Sequence, residues 1–214
     1  LDADQRGMRQ TAYQVLVAGS REKLAQDAGD LWDSGKVPSS ESVQVEYRGQ
    51  PLASRRTAYW KVRVWDQAGQ ASGWSQPAMW EMGLLSAPDW QAAWLNDGKA
   101  NPQTDEAFYQ EDPAPLFRKE FALPKPIARA RLYLTGLGYY EASLNGRRVG
   151  DQMLDPGWTR YSERVFYSVY DVTEQRRLEG ALQTRLGQRQ VVEHHRRFAR
   201  ATAAHVQLLG LGHD

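Results

Sequence analysis

The chain has no cysteine among its 214 residues, which removes disulfide cross-links and thiolate metal sites and leaves its redox compartment open. It also lacks any apolar run of membrane-spanning length, so no transmembrane segment and no membrane partner is expected. Neither sign of charge is in excess. The 27 Lys and Arg stand against 26 Asp and Glu, a balance that gives no electrostatic reason to expect nucleic acid or an acidic partner. The sequence starts at Leu1 with a charged segment, without an initiator methionine or a readable signal peptide, and a preceding strand is expected. What the chain does have is many short alternating segments separated by Gly, Ser, Asn and Pro. Its length suits one large domain or two of about 100 residues.

Residues 11–18 alternate as a strand, with Tyr13, Val15 and Val17 on one face. Ser20 is placed to cap a short helical turn over residues 21–26, and Glu22 is favourable in its first turn. Residues 31–37 run into a turn, and residues 42–47 alternate again through Val43, Val45 and Tyr47. Residues 59–66 form the clearest strand: Trp60, Val62 and Val64 point one way, Tyr59, Lys61, Arg63 and Trp65 the other. Ser72-Gly73-Trp74-Ser75 opens the next strand, towards Trp80 and Met82. This spacing predicts an antiparallel sandwich, a fibronectin type III or immunoglobulin-like module over residues 1–88. Trp32, Trp60, Trp65, Trp74 and Trp80 make a ligand platform only if they share one exposed face. Core packing is the expected role, because aromatics dominate sandwich cores.

Residues 89–115 are rich in Asn, Asp, Glu, Pro and Gly and read as a linker. A second β unit is expected over residues 116–187, with strands at 116–121, 128–135 and 164–173, the last placing Val165, Tyr167 and Val169 on one face. At its centre, residues 136–144 lead into Asn145-Gly146, the pair that supplies the two positive-φ positions of a type I′ hairpin turn. A polar and aromatic loop, residues 154–161, follows the hairpin. The fold class is therefore all-β: a fibronectin type III/Ig-like sandwich, then a jelly-roll-like sandwich, then an atypical tail at residues 188–214.

The runs RQTAYQVLVA, LWDSGKV, YWKVRVWDQAGQASGWS, WEMGLL, DWQAAWL, LFRKEF and ARLYLTGLGYYEASLNGRRVGDQMLDPGWTRYSERVFYSVYDVT lie in order between residues 9 and 173. Together they resemble the N-terminal, non-catalytic half of bacterial α-L-rhamnosidases. The resemblance implies an enzyme that releases terminal α-L-rhamnose from glycosides with inversion, using paired glutamates in a C-terminal α/α barrel. Inversion requires two carboxylates flanking a water. This chain is expected to stop before that barrel, to be inactive alone, and to meet a rhamnose-containing glycoside through its parent enzyme. Its own carboxylates Asp105, Glu106, Glu111, Asp112, Glu120 and Glu141 read as solvated surface, and no catalytic residue is assigned.

In some relatives the second sandwich binds rhamnose with a calcium ion. Carried over, that places Asp151 and Asp155 as carboxylate ligands of calcium, and Asp155, Trp158 and Tyr161 as carbohydrate contacts. The alternative is that Asp155-Pro156-Gly157 is a plain turn and Trp158 packs in the core. Two functions stand side by side: an accessory sugar-binding or domain-positioning part of a rhamnosidase, and a structural or interaction module without a ligand.

Beyond Gly187 the sequence departs from the family. His194, His195 and His205 have no ordered ligand spacing, and the apolar residues form no helical stripe. Reading residues 188–193 one nucleotide out of frame restores an Asn-Gly-x-Trp-Trp-Asn-like run. A frameshift near residues 178–187 is therefore expected, leaving the second sandwich short of its last strands and with unpaired edges.

Overall fold

The computed structural model describes residues 6–99, 103–110, 115–121, 128–176, 180–187 and 204–211, the side chains of Asp105, Phe108, Arg176 and residues 180–187 and 204–211 excepted. The chain divides into two compact units, Leu1–Trp90 and Gln91–Asp214. Both are built from strands, and the class is all-β.

In the first unit, β1 (Ala12–Ala18), β2 (Trp32–Asp33), β3 (Val37–Pro38), β4 (Thr57–Trp65) and β5 (Ala78–Glu81) make one antiparallel sheet. β4 lies along the whole of β1, with Ala12 opposite Trp65 and Ala18 opposite Tyr59. The other edge of β1 is shared by β2 and β3, because the chain between them bulges at Gly35, whose φ is 61°. Ser34 keeps the ladder satisfied there: its amide donates to Val15 O at 3.1 Å and its hydroxyl accepts from Val15 N at 2.8 Å. The same device recurs on β4. β5 pairs only with residues 57–60 of β4. Beyond it, Ser72 N and Ser75 N donate to Val64 O and Val62 O at 2.8 Å, while their hydroxyls accept from Val64 N and Val62 N at 3.1 Å.

The short helix α1 (Arg21–Ala25) forms where its cap is, with Lys23 N donating to Ser20 Oγ at 3.3 Å. It buries Leu24 completely against Leu16 and Ala18. The second face of β4 is not left to solvent. Lys61 is only 6% exposed; it lies over the Trp74 ring at 5.0 Å and donates to Asp27. Arg63 sits between Trp74, at 4.6 Å, and Trp65, at 5.1 Å, and Lys36 closes the row over Trp65 at 4.7 Å. Arg63 Nε also donates to Gln14 Oε1 at 2.9 Å, and Gln14 Nε2 to Asp33 Oδ1 at 2.7 Å. Each such stack contributes about 0.5–2 kcal/mol, depending on desolvation.

Residues 42–47 are not a strand. Gln44 takes φ 58°, which ends an extended run, and Val43 is 71% exposed. Alternation alone supplied no partner strand. Tyr47 nevertheless packs edge-on between Trp32 and Trp80, with ring centroids 5.5 and 5.7 Å away. The unit ends in a clasp. Ser54 Oγ, Ser86 N and Ser86 Oγ donate to Asp89 Oδ2 at 2.5, 3.0 and 2.8 Å, and Arg55 Nη2 donates to Asp89 O at 2.5 Å. The Ser54 hydrogen bond, followed by those of Ser86, lowers the Asp89 carboxyl to about 2.

In the second unit, a one-turn helix α2 (Asp105–Phe108) lies in the stretch read as linker, capped by Thr104 Oγ1, which accepts from Ala107 N at 3.3 Å. Then follow β6 (Leu116–Phe121), β7 (Arg129–Gly136), β8 (Tyr139–Leu144), β9 (Arg147–Arg148), β10 (Ser168–Asp171), β11 (Gly180–Gly187) and β12 (Ala204–Leu211). They form two antiparallel sheets, ordered β10-β7-β12 and β6-β11-β8-β9. The core lies between them: Ala130, Leu132 and Leu134 of β7 meet Tyr140, Ala142 and Leu144 of β8, joined by Val149 and Val172. Asn145 and Gly146 have φ of 52° and 75°, as the type I′ turn requires.

Two expectations are corrected. The strand read over residues 164–173 is confined to β10, since Phe166 O is drawn off to accept from Thr135 Oγ1 at 2.5 Å. Tyr170 and Val172, rather than Val169, reach the core, and Val169 is 42% exposed. Past residue 187, the stretch read as an atypical tail supplies one described strand, β12. β11 lies between β6 and β8, and β12 runs beside β7 from Ala204 opposite Gly136 to Leu211 opposite Arg129. Residues 188–203, with His194, His195 and the proposed out-of-frame run, lie outside the described residues.

Gly150 has φ 72°, and a Cβ on it would stand 2.5 Å from Tyr170 Cε1. Gly150→Ala is expected to lower stability by about 2–4 kcal/mol, the sum of a left-handed backbone and ring overlap, read by denaturant unfolding. Asp89 stabilises the first unit through its depressed carboxyl pKa, so its contribution is full above pH 3.8 and lost as pH falls through about 2. Asp89→Asn is expected to lower the melting temperature at neutral pH, with the gap to the parent closing across that acid window.

Candidate functional site

The loop after the hairpin is fixed by groups on β8 and β10 and by the residue just before β8. Gly150 lets the chain leave β9 under the Tyr170 ring. Asp155 then docks against β8: its carbonyl accepts from Tyr140 N at 3.0 Å, and its Oδ2 accepts from the Tyr170 hydroxyl. Pro156, joined to Asp155 by a cis peptide bond, is fully buried. The chain returns to the surface at Gly157 and Trp158. A turn at Arg160 follows, where Glu163 N and Arg164 N both donate to Arg160 O, at 2.8 and 3.0 Å. The Tyr161 hydroxyl accepts from Gly138 N at 3.0 Å and so pins the far side of the loop to the start of β8.

Trp158 stands at the middle of this clamped segment. It is 53% exposed, and its ring stacks along Tyr139 with centroids 6.5 Å apart and planes 24° apart. The pleat explains the arrangement: neighbours Tyr139 and Tyr140 point to opposite faces of β8, so one receives Trp158 and the other enters the core. The Tyr140 hydroxyl is 2.9 Å from the Tyr170 hydroxyl and 3.4 Å from Leu134 O. Tyr170 commits its single proton to Asp155, so Tyr140 is the donor in the pair of phenols. Burial drives Tyr140 well above the usual phenol range. Burial, then the hydrogen bond to Asp155, pushes Tyr170 up to about 12. Burial also raises Tyr161.

Of the residues singled out in the sequence, Asp155, Trp158 and Tyr161 are held in this one loop, with Trp158 presented outwards and Tyr161 half-buried. Asp151 is exposed, its Oδ1 accepting from Gln152 Nε2 at 3.5 Å. Calcium takes six to eight oxygens. Among the described residues no three His, Cys, Asp or Glu side chains gather to hold a metal, and one Asp155 oxygen is taken by Tyr170. Glu106 and Glu141 are exposed, and Glu120 pairs with Arg118 at 2.5 Å. Glu111, Asp112 and the Asp105 side chain lie outside the described atoms. Trp32, Trp60, Trp65, Trp74 and Trp80 are each half-buried.

Sequence reasoning missed Tyr139, Tyr140 and Tyr170. The first two were legible from alternation. Tyr170 was not, because it meets Asp155 only through the pairing of β10 with β7.

Two family descriptions match the chain: "Rha78A-like, N-terminal immunoglobulin domain" over residues 1–86, and "Alpha-L-rhamnosidase N-terminal domain" over residues 125–199. An α-L-rhamnosidase of Formosa agariphila is 40% identical over 183 residues, a match that covers 79% of this chain and 19% of that protein. The structure is similar to that of an α-L-rhamnosidase from Dictyoglumus thermophilum, with a TM-score of 0.83, 38% identity, and coverage of 98% of this chain and 24% of the other. A native α-L-rhamnosidase from Aspergillus terreus gives a TM-score of 0.71 at 31% identity, covering 87% of this chain and 20% of that one. The chain thus spans about a fifth of the length of the curated relative, 19%.

Tyr170 is held as a neutral phenol, with a pKa raised from 10.0 to about 12. Its contribution is full below pH 10 and is lost as pH rises through about 12. Thermal unfolding followed by circular dichroism is expected to show the second unit weakening over that interval. Tyr170→Phe, which has no phenol to ionise, should flatten part of the decline.

Proposed function

The chain belongs to the α-L-rhamnosidases by its N-terminal domains, and from that premise we propose that it is an accessory part of an enzyme hydrolysing terminal α-L-rhamnose from glycosides. In this reading the second unit contacts sugar, and the paired carboxylates of hydrolysis belong to other parts of such an enzyme. One observation carries the proposal: Trp158 presents a half-exposed indole on a loop fixed on both sides. An aromatic ring offers an apolar face to the C–H side of a sugar. Tyr161 accepts from Gly138 N and retains its own proton for a sugar hydroxyl. Asp151 lies exposed nearby in sequence as an acceptor.

A second reading has its own observation. Met153, Leu154 and Phe166 are 70%, 59% and 47% exposed and flank Trp158 in sequence, which also suits a contact with protein. Calorimetric titration with L-rhamnose, in calcium and then in chelator, separates the two. Saturable heat that weakens at least about tenfold in Trp158→Ala supports the sugar contact. Dependence on calcium, lost in Asp155→Ala, would add the metal. Absence of heat from a chain whose circular dichroism is folded rejects the sugar contact in favour of the interaction module.

A further inference from the structure

We propose that Tyr170 is a positioning residue for Trp158, transmitting the packing of the sandwich core to the orientation of the exposed indole. The inference rests on the reading of Trp158 as the ligand-contacting residue, and adds how that residue is held. Trp158 is three positions after Asp155 and three before Tyr161, and those are the residues at which the loop is tied down. The Tyr161 tie is local to the start of β8. The Asp155 tie is not, for it depends on a side chain from β10.

Tyr170 acts on the loop at two points. Its ring packs where the side chain of residue 150 would be, so the chain leaves the hairpin in one direction. Its hydroxyl donates to Asp155, five residues on, and accepts from the buried Tyr140 hydroxyl at 2.9 Å. Tyr140 belongs to the strand that also carries Tyr139, on which the Trp158 ring lies. Indole and stacking partner are thus referred to the same strand, one directly and one through Tyr170. Without the hydroxyl, Asp155 keeps only its main-chain link to Tyr140 N, and its carboxylate is released to solvent. The stack of Trp158 on Tyr139 then has one tether instead of two.

Only Trp94 and Trp158 fall in the second unit, so a 5-fluorotryptophan label makes the Trp158 resonance assignable by its absence in Trp158→Phe. In Tyr170→Phe the Trp158 fluorine signal is expected to move towards its position in unfolded chain, while the other indole signals stay in place. Global destabilisation would shift all signals of the unit together. Asp155→Ala, which removes the acceptor at the surface without altering the core, is expected to give the same selective shift and decides the matter if Tyr170→Phe does not fold. A Trp158 signal unmoved in the folded variant overturns the proposal. L-Rhamnose titration of the same samples tests the underlying reading separately. Binding by the parent that weakens about tenfold in the variant is the expected result. No binding by the parent removes the sugar contact, while the fluorine shifts still decide whether Tyr170 positions the indole.

Discussion

A phenol buried between two sheets must find a hydrogen-bond partner, and that requirement at Tyr140 sets much of the second unit. The hydroxyl sits among apolar side chains of β7 and β8, where an unsatisfied polar group costs about 1–3 kcal/mol. Tyr170 meets the need, and in doing so passes it outwards to Asp155. A chain of three groups thus begins in the core and ends at a carboxylate on a surface loop. The order of donors follows from having one proton per hydroxyl, with the carboxylate as terminal acceptor. The loop is tied down at Asp155 because leaving the Tyr140 hydroxyl unpaired in this core is costly.

The first unit solves a related problem with different chemistry. Its single described sheet has a face carrying Lys61 and Arg63, long cations that would ordinarily extend into water. Indoles from β4 and from the Ser-Gly-Trp-Ser segment cover them instead, and Asp27 and Gln14 take up the hydrogen bonds the rings cannot. The serines on either side of Trp74 hold it there by pairing with β4 through both amide and hydroxyl. Packing of cations and pairing of backbone are one arrangement.

Local signals in the sequence were reliable where the physics is local. Asn145-Gly146 gave its turn and Ser20 its cap, because both depend on residues within a few positions. The same holds for β1, β4 and β7, whose alternation is long enough to mark them as strands. Residues 42–47 alternated equally well but met no partner strand, and pairing is a property of the whole sheet. The candidate loop was legible as an aromatic, acidic segment. Its geometry was not, since Asp155 and Tyr170 are fifteen residues apart and meet only after β10 has found β7. β12 was the least legible element: nothing in the composition of residues 204–211 announced a place beside β7.

The row of cations and rings in the first unit also bears on how that unit meets denaturants. Guanidinium is chemically the head group of arginine, and it competes directly for the indole faces that Lys36, Lys61 and Arg63 occupy. Urea, uncharged, has no such claim on them. The first unit is therefore expected to yield to guanidinium salts through exchange of one cation for another as well as through general solvation. Stabilities extrapolated from the two agents need not agree for it, even where they agree for the phenol-linked sandwich that follows.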